Sequence, residues 1–131
     1  MIYVDSCILI YAIEDETERG DRVRRGLGDA GGTRVAISPL VMQECLVGPL
    51  RDDDLGLRDH YLRAFEQFEL LELGVPQFMR AAELRARTGL RTPDALHLAV
   101  AQLAECAELW TNDSRLAAAS HGLAVDIVRG D

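Results

Sequence analysis

The chain has 131 residues, 48% hydrophobic and 27% charged, which suits one domain that buries roughly two-thirds of the surface its unfolded chain exposes. A formal net charge of −8 argues against a general nucleic-acid coat, which draws on a broad basic surface, but leaves room for a local patch. The apolar stretches are too short to span a bilayer and no basic segment precedes the first of them, so neither a membrane span nor a signal peptide is expected, and a cytoplasmic location is.

Ile2 to Val4 reads as a short buried strand, its apolar run from Met1 closed by Asp5, and a helix follows over Cys7 to Ile13 with Ser6 as its capping residue. A charged helix runs from Arg19 to Leu27 and ends near Gly28 to Gly32. Arg34 to Ile37 is the second strand. Ser38-Pro39 then places a hydroxyl before a proline at the first helical position, opening a helix that carries Glu44. Gly48 to Asp54 reads as a mobile loop, and Asp53 to Gln67 as a helix with Leu57, Tyr61, Leu62 and Phe65 on one side. Strand-like segments recur at Phe68 to Leu73, Leu109 to Thr111 and Ala124 to Val128. Between the first two of these, Thr92-Pro93 repeats the hydroxyl-proline start and opens a helix with Asp94 in its first turn. Asp113 follows Asn112 and opens the next helix. Strands alternating with helices predict an α/β fold, a three-layer α/β/α arrangement with a mostly parallel sheet of about five strands, in a single domain spanning 1-131.

Four carboxylates, Asp5, Glu44, Asp94 and Asp113, thus fall where strands end or helices begin, the rim on which α/β folds build sites. Four acids converging without matching cations lose solvation unless a divalent metal neutralises them, and an oxygen-only ligand set favours Mg²⁺ or Mn²⁺. All 14 basic residues are arginine, which removes mechanisms that need a lysine, Walker-type nucleotide hydrolysis among them; a GC-rich genome accounts for the bias. Cys7, Cys45 and Cys106 lack CxxC spacing and sit in apolar patterns, as buried thiols in a reducing compartment do. His97, three residues after Asp94, reads as a core histidine rather than a ligand, and His60 and His121 as surface residues. Arg19, Arg22, Arg24 and Arg25 make one solvated face; Arg80, Arg85, Arg87 and Arg91 make another that leads toward Asp94, so Arg87 and Arg91 are the candidate contacts for an anionic backbone.

These segments resemble the PIN domain, in size and layout its VapC-type toxins, over nearly the whole chain. Ile2-Tyr3-Val4-Asp5-Ser6 is similar to the first motif of that family, and Ser38 to Glu44 to the second. Thr92-Pro93-Asp94-Ala95-Leu96-His97 is similar to the third, and Thr111-Asn112-Asp113-Ser114-Arg115-Leu116 to the fourth. Leu116 departs from the pattern, where an aromatic is expected, at a packing position. The resemblance implies an endoribonuclease that uses Mg²⁺ or Mn²⁺ and leaves a 5′-phosphate and a 3′-hydroxyl, with Asp5, Glu44, Asp94 and Asp113 as catalytic metal ligands and Ser6, Thr111 and Asn112 in support. It also implies a homodimer and a small antitoxin whose basic tail occupies the acidic groove, to which a charge of −8 is complementary. Ile8, Leu9, Tyr11, Ile13, Val41, Leu46 and Leu50 read first as core, although some could form a groove for an antitoxin helix. A free-standing RNA-processing nuclease is the nearest alternative. A small-molecule phosphohydrolase fits less well: the haloacid-dehalogenase type needs an Asp where Cys7 stands, and it and the receiver type both need a lysine.

Overall fold

A computed structural model describes Met1 to Arg129; Gly130 and Asp131, the end of the expected single domain, lie outside the described residues. Five short strands, β1 (Ile2–Val4), β2 (Val35–Ile37), β3 (Glu69–Leu70), β4 (Glu108–Trp110) and β5 (Ala124–Val125), form one sheet in the order β3-β2-β1-β4-β5. Each pairing is parallel, with Tyr3 opposite Ala36 on one side of β1 and opposite Leu109 on the other. The chain steps outward from β1 to β2 and β3, then returns past β1 to β4 and β5. The strand order therefore reverses between β1 and β4, and this is where open α/β sheets leave a crevice at their carboxyl ends.

Parallel strands need crossovers, and right-handed crossovers put the helices before and after the reversal on opposite faces. Helices α1 (Ser6–Glu14), α2 (Glu18–Asp29), α3 (Pro39–Arg51) and α4 (Leu55–Phe65) belong to the first group, with α1 packed on both α2 and α3. Helices α5 (Val75–Thr88), α6 (Thr92–Leu103) and α7 (Ser114–Ala119) make the second, with α6 packed on both α5 and α7. Three layers result. The β1 side chains Tyr3 and Val4 are fully buried, with Ile8 and Leu9 of α1 and Leu98 to Ala101 of α6 packed around the sheet. Burying an Ile or Leu completely contributes roughly 1.5–3 kcal/mol, so this central strand is firmly anchored.

Several local expectations give way to tertiary packing. Ser6 is the first residue of α1 rather than its cap; Asp5 holds the cap position and accepts from the Ile8 amide at 3.3 Å. Ser38 does precede α3, but its hydroxyl bonds Tyr3 instead of the helix end, and Thr92 lies inside α6 behind Arg91. Gly48 to Arg51 is helical, not loop. Val41, Cys45 and Pro49 recur every four residues along the buried side of α3, and their packing carries the helix through a proline that would otherwise end it. The chain turns only at Asp53, which takes a positive φ of 53°. Leu50 and Leu62 point outward, 52% and 43% exposed, and Cys7 is only half-buried. Leu116 is buried, as a packing residue should be. No helix among the described residues is long and apolar enough to cross a membrane.

Candidate metal centre

Asp5 stands at the carboxyl end of β1, beside the reversal in strand order, and is 5% exposed. Its Oδ1 accepts from the Cys7 thiol at 2.7 Å as well as from the Ile8 amide. Burial pushes the Asp5 carboxyl above its ordinary value, and hydrogen bonds from Cys7 and Thr111 only partly offset this. Asp113 follows β4 on the other side of the reversal. It caps α7, its Oδ1 accepting from the Arg115 amide at 2.8 Å and the Leu116 amide at 3.2 Å, while its own amide donates to the Thr111 hydroxyl at 3.0 Å.

Asp94 enters from the first turn of α6. Burial and the neighbouring negative charge of Asp113 both raise its carboxyl above the ordinary value, and Arg91, 3.6 Å away and mostly in solvent, does not reverse the effect. Glu44 reaches in from α3 on its longer side chain. For Glu44 burial is again the largest influence and acts upward, but bonds from His97 and Ser6 outweigh it and hold the carboxyl below its ordinary value. His97 Nε2 lies 2.6 Å from Glu44 Oε1, and its Nδ1 lies 2.7 Å from the Tyr3 hydroxyl.

All four acids line one cleft of about 250 Å³, with Ser6, Asn112 and His97 in the same wall. Asn112 spends its amide on the Tyr11 hydroxyl at 3.1 Å rather than on an acid. Of the two arginines expected to meet an anionic backbone, Arg87 is exposed on α5 and does not line the cleft. Arg91 instead lines an adjoining cavity of about 360 Å³ that shares Asp94 with the cleft. Arg115 lines that cavity too and was not singled out by the sequence pattern. His60 and His121 are exposed, and Arg19, Arg22 and Arg24 pair with Asp15, Glu18 and Asp21.

The PIN domain family model matches residues 2–122. The chain belongs to the PIN domain family. No curated protein sequence matches it. Among solved structures, this PIN domain is similar to a toxin–antitoxin complex from Klebsiella pneumoniae, at 25% identity over 97% of this chain and 98% of that one, with a TM-score of 0.80. It shares its fold with the VapBC2 complex of Rickettsia felis bound to a promoter DNA fragment (24% identity, 86% and 88% of the two chains, TM-score 0.70). It shares it also with VapC20 of Mycobacterium tuberculosis, a toxin that cleaves the sarcin-ricin loop (16% identity, 91% and 95%, TM-score 0.73).

The donor chemistry of the PIN domain's cleft fits a hard divalent cation. Asp94 has one exposed arginine and Glu44 one imidazole, and no ion pair among the described residues engages Asp5 or Asp113. Among the described residues no three His, Cys, Asp or Glu side chains converge into a ready-made ligand cage. Mg²⁺ rarely asks for one, because it keeps several of its waters and takes one or two carboxylates directly. Acids spread round an open cleft suit that habit better than they would suit zinc.

Proposed function

We propose that this PIN domain is a Mg²⁺- or Mn²⁺-dependent endoribonuclease acting as the toxin of a toxin–antitoxin pair. The observation that carries the reading is the gathering of Asp5, Glu44, Asp94 and Asp113 around one cleft at the sheet reversal without enough cations to neutralise them. Asp5 and Asp113 would hold the cation from the two strand ends, and Glu44 and Asp94 from the helices. When bound, the ion supplies a water of lowered pKa and neutralises charge that develops on the phosphodiester. Ser6 steadies Glu44, and Thr111 steadies both Asp5 and the turn that presents Asp113. Arg91 and Arg115, beside Asp94, would receive the flanking RNA phosphates, and Arg87 would extend that contact along α5.

A protein partner is supported by the apolar side chains that α5 leaves in solvent, Val75, Phe78 and Met79 at 74%, 52% and 65% exposed. Phe78 borders an apolar groove with Leu40, Leu73 and Leu96, and this face would take the second copy of a homodimer or the antitoxin. The toxin assignment draws on the similar Klebsiella complex. Cleavage of a mixed RNA by the purified chain with Mn²⁺ or Mg²⁺, beside EDTA and Asp94→Asn, tests the chemistry. Cutting that survives either control excludes the mechanism. Growth arrest on expression without the neighbouring gene would separate a toxin from a free-standing processing nuclease.

A further inference from the structure

Tyr3 and His97 are two buried polar side chains that the chemistry above leaves without a task. Both lie in the core, Tyr3 fully buried on the central strand and His97 3% exposed on α6. They connect Ser38, at the start of α3, to Glu44 in the same helix through Ser38 Oγ to Tyr3 Oη (2.8 Å), Tyr3 Oη to His97 Nδ1 (2.7 Å) and His97 Nε2 to Glu44 Oε1 (2.6 Å). The direction of this chain follows from its two ends. An ionised Glu44 only accepts, so Nε2 carries a hydrogen; in the tautomer with that ring hydrogen alone, Nδ1 accepts and Tyr3 donates there. Tyr3 in turn accepts from the Ser38 hydroxyl. In this arrangement every member has a partner. The cost of leaving any of these groups unpaired in the core holds the four side chains together.

We propose that Tyr3 and His97 are positioning residues for Glu44: the phenol fixes the imidazole in its Nε2–H tautomer, and the imidazole holds one carboxylate oxygen so that Glu44 is presented to the divalent cation in the cleft. The inference rests on the metal-nuclease reading. It explains why Ser38, at the cap position of α3, gives its hydroxyl to a strand instead of to the helix. It also gives the central strand two jobs at one end, since Asp5 and Tyr3 sit two residues apart and so face the same side.

The test is Mn²⁺ titration of the intact, metal-free chain by calorimetry, with ¹⁵N NMR of the His97 ring. Wild type should show the Nε2–H tautomer. Tyr3→Phe, folded by circular dichroism, should lose that fixed tautomer and bind Mn²⁺ about 10-fold more weakly, the effect typical of removing an outer partner of a ligand. In a Glu44→Gln background the same change should make less than about a twofold difference, because its route to the metal is gone. His97→Gln, which keeps an N–H near the Nε2 position, should retain more affinity than His97→Leu, and this pair tests the claim even if Tyr3→Phe does not fold. Wild-type affinity in both Tyr3→Phe and His97→Leu, or an equal loss with and without Glu44, overturns the positioning role and leaves the nuclease standing. Unchanged Mn²⁺ affinity in Glu44→Gln alone overturns the metal role of Glu44, and the positioning role with it.

Discussion

A carboxylate buried as deeply as Asp5 opposes folding. Its folded pKa lies above its unfolded one because burial disfavours the charge, so its contribution to stability is greatest below the ordinary carboxylate pKa and is lost as pH rises through the folded value. The cost therefore weighs on the fold at neutral pH. Asp5→Asn keeps an Oδ1 acceptor for Cys7 and Ile8 and removes the charge, so in EDTA it should melt above wild type at pH 7, the gap closing in acid, while RNA cleavage is abolished. A lower melting midpoint at pH 7 would contradict this account. Glu44 has the opposite sign, since His97 and Ser6 hold it below its ordinary value and its contribution fades as pH falls. The four acids were legible as residues because each falls at an element boundary that local pattern marks. The role of His97 was not, although its spacing from Asp94 was visible. Its two partners, Tyr3 and Glu44, lie 94 and 53 positions away, and no local pattern joins them.

Elements were read correctly where the local signal and the tertiary packing agree. Both proline-marked helices exist, but α3 runs past Gly48 and Pro49 because burial of one side outweighs two helix-breaking residues, a contest that only the assembled core decides. The third strand shrinks to Glu69–Leu70 and the fifth to Ala124–Val125 because an edge strand is held from one side alone. Gly20 shows the same dependence on surroundings. It is buried in α2, and a β-carbon there would stand 1.8 Å from the carbonyl oxygen of Asp15 in the turn between α1 and α2. Gly20→Ala would ordinarily strengthen a helix; here it should destabilise the fold by about 1–3 kcal/mol, as overpacking does, and chemical denaturation will measure it. A stabilised Gly20→Ala would show that the α1–α2 turn yields freely.

On the scale of the whole molecule, the all-parallel sheet followed from alternation of strands and helices, whereas its order did not, since nothing local says on which side of β1 the chain returns. That order brings Asp5 and Asp113 together. Charge is distributed as unevenly as the acids are: the net −8 leaves Arg91 and Arg115 as the cations lining the cavity that shares Asp94. RNA binding by the inactive Asp5→Asn chain should therefore depend gently on salt, with a log–log slope of about −1.4 for the two phosphate contacts at Arg91 and Arg115, or about −2.1 with Arg87 as a third. Arg115→Gln should lower its magnitude by about 0.7, measured by fluorescence anisotropy with labelled single strands. A slope unchanged by that substitution would remove Arg115 from the contact. The reversal of the sheet has a consequence for synthesis as well. The acids come from segments spread between Asp5 and Asp113, so on the proposed reading no nascent chain would carry a complete centre before Asp113 has emerged and β4 has docked beside β1. A toxin built this way would spare the machinery making it until the last of its acids is in place.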